Sequence, residues 1–265
     1  MSVHEEIKEQ QKKLKGQGFK AHLEYFWDYY KIHTIVALAI IIVIGTVVHD
    51  IATKKPYYLY AMMINAGISD AQTIFEEEFT EYAGFDKSQY QCLVDTSSVY
   101  TPGAMDEMTL ATSEKIMAMS AAHEIDAFVA DYATFSYYAQ QDMLISLDTV
   151  FSPEEMDAMK DRLYYVDLAF LDYLRSDDYE TYIMNGSFDK NNKYAVMADK
   201  YFKTGEYEKI SPEDMEQPYA VGIYLTDSTV INENGAYGNT VALAGITAGT
   251  ERVDAAKEFI EFLMK

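Results

Sequence analysis

The chain has 265 residues, and its 43 Asp and Glu against 21 Lys and Arg give a formal charge of −22 at pH 7. This charge excludes a sequence-reading nucleic-acid-binding protein, which needs a basic face to meet phosphates. The single cysteine, Cys92, excludes an internal disulfide framework and leaves a thiolate zinc site without its usual second cysteine. With 49% hydrophobic and 24% charged residues, the composition is that of a folded protein of one or two domains.

An apolar segment near the amino end predicts a single transmembrane helix. Residues 32–48 contain no Asp, Glu, Lys or Arg, and as a helix they reach about 25 Å, close to the hydrocarbon thickness of a bilayer. Aromatic rings precede the segment and charged residues follow it, as expected at the two interfaces. We predict a short cytoplasmic arm at 1–31, a transmembrane helix at 32–49 and a linker at 50–56.

A buried core helix and a cleaved signal peptide are the two alternatives to a retained anchor. The apolar run shows no polar face, which disfavours a core helix. A signal peptide has a shorter apolar region and small residues at its cleavage site, whereas Asp50 occupies the position two before Ala52. The residues therefore favour an uncleaved signal-anchor.

The orientation follows from the lysines that flank the span, because basic residues favour the cytoplasmic side. Residues 56–265 carry 13 Lys and Arg against 37 Asp and Glu, a formal charge of −24. We predict a single-pass cell-membrane protein with a cytoplasmic amino terminus and an acidic extracellular domain at 57–265. The flanking lysines are Lys13, Lys15, Lys20 and Lys31 before the span, and Lys54 and Lys55 after it.

The first part of the outer domain alternates strand and helix patterns. Apolar runs of strand length at 57–64, 90–94 and 125–130 are separated by helical patterns, the second of which opens at Asp106. A short helix led by Asp131 follows the third run. This order predicts parallel βαβ units with right-handed crossovers, so the predicted fold class is α/β.

The remainder of the chain is less regular. Ser152-Pro153 opens a helix with a cap and a proline at its first position, and Ser211-Pro212 repeats most of that pattern. Residues 176–194, rich in Asp, Asn, Gly and Tyr, are predicted as loops or short hairpins. The last predicted elements are strands at 219–225 and 240–246 and a terminal helix capped by Thr250.

Three segments together resemble type II extracellular, or periplasmic, solute-binding proteins. Residues 117–147 are similar to a stretch of that family in which a helix ending in small residues leads into an Asp-containing strand and a short helix, here followed by Ile145-Ser146-Leu147-Asp148. The tail at 253–263 is similar to the family's carboxyl helix, and the aromatic run at 25–31 resembles membrane-anchored relatives found in gut Firmicutes.

The resemblance implies two lobes joined by a hinge, with a ligand between them. Lobe I would comprise about 57–135 and 217–265, and lobe II, or an insertion, about 136–216. The family is usually exported with a lipid anchor on cysteine, whereas this chain offers a helix, and its stretch for lobe II has weak strand patterning. The second lobe is therefore expected to be reduced, with a cleft that is small, open or lost.

No catalytic motif is present, and we expect no catalytic residue, metal site or cofactor. The sequence lacks the G-x-S-x-G, H-E-x-x-H, phosphate-loop and dinucleotide patterns. His123 is the only histidine in the outer domain, and we interpret it as a surface residue at a helix end. Asn185 to Asn191 alternate oxygen side chains but lack the glycine and glutamate of a calcium loop, so we interpret them as a solvated turn.

The candidate ligand-binding residues lie where the predicted strands end. In an open parallel sheet, ligands bind beyond the carboxyl ends of the strands where the strand order reverses, and the resemblance places the first and third strands at that point. Polar residues at strand ends also serve as ordinary loop and helix-capping residues, and that alternative stays open. The candidates are Asn65, Asp131, Tyr132, Thr134, Thr226 and Asp227.

Two hypotheses for function follow from these observations. In the first, the anchored domain binds a small solute, sugar or peptide, or contacts a membrane transporter. In the second, it is a structural or adaptor domain with a degenerate cleft. In both hypotheses the lipid bilayer is a partner of the protein, and nucleic acid is not.

Overall fold

The computed structural model describes residues 18–67 and 71–265. The chain forms two units that divide between Lys55 and Pro56, and each is described by itself. Residues 1–17, the larger part of the predicted arm, lie outside the described residues.

The first unit contains one long helix, α1 (Phe19–Thr53). Within it, Tyr30–Thr53 is long and apolar enough to cross a membrane, with a mean hydropathy of 2.5. The helix extends beyond the predicted span of 32–49 at both ends, into the predicted arm and through the first residues of the predicted linker. The large apolar side chains from Ile32 to Ile51 are each more than half exposed.

The second unit is a mixed α/β fold around one six-stranded sheet, which confirms the predicted fold class. The strand order is β2-β1-β3-β6-β5-β4. Strand β1 is parallel to β2 and β3, and antiparallel pairing joins β3 to β6, β6 to β5 and β5 to β4. The strands are β1 (Tyr57–Ile64), β2 (Gln91–Asp95), β3 (Ala127–Asp131), β4 (Leu163–Asp167), β5 (Pro218–Tyr224) and β6 (Ala242–Ile246).

Helices cover both faces of the sheet. Successive side chains of a strand point to opposite faces, and those of β1 alternate between two apolar cores, with Leu59, Ala61 and Met63 in one and Tyr60 and Met62 in the other. Burial on both faces explains why β1 is a continuous apolar run. The helices are α2 (Ala71–Ala83), α3 (Glu107–Ala121), α4 (Tyr132–Ala139), α5 (Pro153–Ala158), α6 (Leu168–Leu174), α7 (Asp177–Asn185), α8 (Lys193–Thr204), α9 (Thr229–Glu233) and α10 (Val253–Leu263).

The predicted order of strands and helices is confirmed for the first part of the domain, but the prediction for 176–194 is wrong. That segment forms α7 and the start of α8, with short connections between them. Its polar residues are helix caps: Ser176 and Asn192 accept hydrogen bonds at the amino ends, and Gly186 closes α7 in the left-handed conformation. Ser, Asn and Gly disfavour the interior of a helix but are common at its two ends. The composition of 176–194 therefore led to a prediction of loops where the structure has helices.

Two smaller predictions are also corrected. Ser211-Pro212 opens only a single 3₁₀ turn, Pro212–Asp214, in place of an α-helix. Thr250 does not cap α10, which begins after Arg252 with no side-chain cap. The Thr250 hydroxyl instead donates a hydrogen bond to Asp126.

The middle segment also supplies an unpredicted edge strand, β4.

A buried ion pair fixes the start of α10 to the sheet. The Asp126 side chain is 0% exposed, and its Oδ2 accepts from Arg252 Nε at 2.8 Å. The same oxygen accepts from the backbone N–H of Tyr60 at 2.7 Å, and Arg252 also donates to the Glu124 carbonyl at 2.9 Å. Because a buried charge is costly unless it is paired and hydrogen-bonded, these contacts hold β1, β3 and α10 in one arrangement.

Replacing Arg252 with Ala should leave the Asp126 carboxylate buried without its cation. We expect a loss of about 3–5 kcal/mol in the free energy of unfolding, measured by denaturant titration of the detergent-solubilised chain with near-UV circular dichroism of the tyrosines. Arg175→Ala is the matched control, because Arg175 pairs with Asp142 at the surface, and should cost less than about 1 kcal/mol. Equal losses in the two variants would contradict this role for Arg252.

Candidate functional site

The strand directions bring four chain segments to one edge of the sheet. Strands β3 and β5 end at this edge, and β4 and β6, which are antiparallel to them, begin there. Between these ends lies a cavity of about 590 Å³, which we call the edge crevice. It is lined by Asp131, Tyr132, Ala133, Asp161, Glu206, Lys209, Tyr224, Thr226, Thr240 and Val241.

Helix α4, which carries Tyr132 into the crevice, packs unusually close to the sheet. The Phe135 ring of α4 lies over Gly222 of β5 and Gly245 of β6, where a Cβ atom would come within 2.6 Å and 3.1 Å of the ring. Only glycine leaves room for this approach. The two glycines therefore set the position of the crevice wall that α4 forms.

The six candidate residues fall into three groups. Asp131, Tyr132 and Thr226 line the edge crevice. Asn65 and Thr134 contact Asp131 but do not line the crevice. The sixth candidate, Asp227, is exposed at the surface and pairs with Arg162 at 3.5 Å.

Asn65, Asp131 and Thr134 form a hydrogen-bonded group, the strand-end cluster, together with the backbone of Tyr100. Asn65 Nδ2 lies 2.6 Å from Asp131 Oδ2 and 2.7 Å from the Tyr100 carbonyl, and Asn65 Oδ1 accepts from the Tyr100 N–H at 2.9 Å. Asp131 also caps α4, because its Oδ1 accepts from the Thr134 N–H at 3.1 Å. The amide of Asn65 is therefore committed to holding β1, β3 and the loop after β2 together.

Seven of the ten residues that line the crevice were not among the candidates. Asp161, Glu206 and Lys209 come from the middle segment, where neither β4 nor α8 was predicted. The Lys209 ammonium lies 4.3 Å from the centre of the Tyr224 ring, a cation–π contact. These residues lie near β3 only because of the order of the strands in the sheet. No local sequence pattern could have predicted that contact.

The crevice carries more negative than positive charge. Its carboxylates belong to Asp131, Asp161 and Glu206, and Lys209 is its cation. Within 18–67 and 71–265, none of these three carboxylates forms an ion pair with a lysine or arginine. Uncompensated carboxylates attract cations.

The tyrosines of the crevice stay protonated and neutral. Burial raises the pKa of Tyr132, and the charges of Glu206 and Glu208 raise it further. Burial, followed by the neighbouring Tyr132, also raises the pKa of Tyr224. Tyr132 donates to the Tyr207 carbonyl at 3.2 Å. The Tyr132 and Tyr224 rings form apolar walls of the crevice.

The lining of the crevice contains no histidine or cysteine. His123 is exposed, as expected, and its ring lies against Gly249. Since His123 precedes β3 and Gly249 follows β6, both lie at the opposite edge of the sheet from the crevice. Among the described residues, no three His, Cys, Asp or Glu side chains are grouped to hold a metal ion.

No protein-family model and no curated protein matches the chain. Similar solved structures include the ABC substrate-binding protein Lmo0181 from Listeria monocytogenes in complex with cycloalternan, at 12% identity and a TM-score of 0.32, covering 79% of this chain and 75% of that chain. The periplasmic binding protein P5PA is 13% identical, with a TM-score of 0.31 and 80% of each chain covered. Trichodesmium IdiA (FutA), in complex with iron and citrate, is 10% identical, with a TM-score of 0.34 and coverage of 78% and 81%.

Exchanging Asn65 for Asp should weaken the strand-end cluster. The substitution keeps the shape of the side chain but replaces a donor with a carboxylate facing Asp131 and the Tyr100 carbonyl. We expect a loss of about 1–3 kcal/mol in the free energy of unfolding, measured by thermal or denaturant unfolding at pH 7. Asn239→Asp, at an exposed position, should change stability by less than about 0.5 kcal/mol. A stable N65D protein would show that the cluster contributes little.

Proposed function

We propose that the protein is a membrane-anchored solute-binding module whose outward domain holds a small solute in the edge crevice. The observation that carries the proposal is the crevice itself, which combines carboxylates, tyrosine rings and hydroxyl groups around about 590 Å³. Ligand sites commonly have about 300–1,000 Å³ and a few polar groups among apolar ones. Non-catalytic binding is the activity that this set of side chains supports best.

The charge of the crevice favours a solute that carries an amine. Asp131, Asp161 and Glu206 outnumber Lys209, and residues 56–265 as a whole carry a formal charge of −24. Both the local and the long-range field attract cations and repel anions. The Tyr132 ring adds a face on which an ammonium group can lie.

Helix α1 supplies the anchor in this proposal. Its Tyr30–Thr53 part is long enough to cross a bilayer, and the lysines upstream favour a cytoplasmic amino terminus. A tethered domain keeps its captured solute at the membrane, where a transporter would take it up.

A direct test is ligand binding by the full chain in lipid nanodiscs. Cadaverine should bind and raise the melting temperature, whereas 1,5-pentanediol, of the same length without charge, should not. A ligand at 100 times its Kd adds about 2.7 kcal/mol of stability. Short neutral sugars and basic dipeptides extend the same screen.

Charge-neutralising variants localise the binding. Asp161→Asn and Glu206→Gln lie at exposed positions in the crevice, and each should weaken cadaverine binding by about 3–5-fold. Asp178→Asn and Glu233→Gln, also exposed but outside the crevice, should leave the Kd unchanged. Equal effects of the four substitutions, or no binding by any probe, would contradict the proposal.

An adaptor role is a second candidate, favoured by an exposed apolar surface beside α3. Leu110 and Met117 are 45% and 68% exposed and, two helical turns apart, lie on the same face of α3. Large exposed apolar side chains on one helix face are typical of a contact with another protein. If this role is correct, Leu110→Glu and Met117→Glu should abolish co-purification of a membrane protein and leave cadaverine binding intact.

A further inference from the structure

A groove lies along one side of α3, and we call it the α3 groove. Its volume is about 440 Å³, and it shares no lining residue with the edge crevice. One wall is α3 itself, and the other belongs to the segment that begins with α4. The lining includes Ser113, Ile116, Met117 and Ser120 of the first wall and Tyr137 and Met143 of the second.

The open side of the groove continues into two exposed apolar residues of α3, which we call the α3 stripe. Its members are Leu110 and Met117, 45% and 68% exposed. They are seven residues apart, which places them on one face of the helix, about 10.5 Å from each other along its axis. Ser113 lies between them in the sequence, so a small side chain separates two large ones. A surface of this kind accepts the interdigitating side chains of a second helix.

The groove is large enough to take an anchoring side chain from such a helix. Ile116 lines it and is 1% exposed, so the groove reaches into the core of the domain. A cavity of about 150 Å³ holds a benzene ring, and this one is larger. Met117 and Met143 line it as well, and methionine side chains adjust their shape to different partners. A bound helix would therefore insert a large apolar residue here.

Two carboxylates border the α3 stripe without a cation. Glu107 and Glu114 each lie three residues before a member of the stripe, so each is its neighbour on the helix surface. Both are exposed, and within the described part of the chain neither forms an ion pair. Lys115, the lysine of α3, pairs with Asp95 at 2.6 Å. The surface therefore complements an apolar face that is flanked by positive charges.

The same charges disfavour a second copy of this chain as the partner. Residues 56–265 carry a formal charge of −24. Two copies that met through α3 would bring Glu107 and Glu114 of one copy close to those of the other. Like charges that face each other across an interface weaken association, whereas lysines or arginines at those positions would strengthen it.

We propose that the α3 groove binds a basic amphipathic helix of a partner protein. The helix lies along α3 with an apolar side chain in the groove and its cations beside Glu107 and Glu114. Amphipathic helices repeat their apolar residues every three or four positions, which matches the spacing of the α3 stripe. The inference rests on the adaptor role proposed above and names the partner for it. Solute binding in the edge crevice does not depend on it, because the two sites share no lining residue.

The test uses the full chain in lipid nanodiscs, with carbon-13 in the methionine methyl groups and signals assigned by methionine-to-leucine variants. The probe is an amidated synthetic helix with leucine at every third or fourth position and lysine elsewhere. Its addition should shift the methyl signals of Met117 and Met143. The signal of Met184, which is 71% exposed on α7, should not shift. Titration gives the Kd, with empty nanodiscs as the control for peptide bound by lipid.

The contribution of charge is tested with two matched pairs of substitutions. Glu107→Gln together with Glu114→Gln should weaken binding of the basic helix by about five- to tenfold. Glu77→Gln together with Glu81→Gln removes the same charge from exposed positions of α2 and should leave the Kd unchanged. A second probe, with glutamate in place of every lysine, should cause no shift.

The proposal would be overturned by equal weakening in the two pairs, by an equal shift of the Met184 signal or by binding of the acidic probe. Absence of a shift at Met117 and Met143 with about 1 mM basic probe, the Kd of a weak complex, would also overturn it. If Met117→Glu abolishes co-purification while the basic probe causes no shift, the partner is not a basic helix and the adaptor role stands. Co-purification that survives both Leu110→Glu and Met117→Glu contradicts the adaptor role itself.

Discussion

The arrangement of the second unit, residues 56–265, depends on one buried contact, the ion pair between Asp126 and Arg252. Asp126 precedes β3, its carboxylate accepts from the backbone of Tyr60 in β1, and Arg252 precedes α10. The pair thus joins the central parallel strands to the last helix of the chain, and it does so at the edge of the sheet where β1 and β3 begin. With the beginnings of these strands fixed, their ends are brought together at the opposite edge, where the strand-end cluster and the edge crevice lie.

Carboxylates lie at both of these edges of the sheet, but their surroundings differ. At the first edge, a carboxylate is fully buried and neutralised by an arginine. At the second edge, Asp131 is tied by Asn65 and Thr134 but lacks a cation within the described part of the chain, and Asp161 and Glu206 lie beside it in the crevice. Removing one partner of the buried pair would leave an uncompensated charge, whereas unpaired carboxylates in an open crevice attract cations.

The apolar pattern of the sequence predicted strands such as β1, whose side chains are buried on both faces of the sheet. The prediction failed where polar residues are typical both of loops and of helix caps. Asn192, Gly186 and Ser176 suggested loops because the same residues that interrupt helices also cap them. At the site, strand direction was enough to bring Asp131, Tyr132 and Thr226 to one edge. The positions of Asp161, Glu206 and Lys209 could not be predicted because they depend on where β4 and α8 pack, which is set by tertiary contacts.

Thiol labelling of intact cells tests most directly whether an anchored domain presents an open crevice outside the membrane. Wild-type protein should stay unlabelled, because Cys92 is half-buried, and burial, followed by the charge of Glu76, raises its pKa to about 12. A Thr226→Cys variant places an exposed thiol in the crevice and should react with a membrane-impermeant maleimide without lysis, with the labelled protein retained in the membrane fraction. Labelling only after permeabilisation, or recovery of the labelled domain from the medium without α1, would contradict the account.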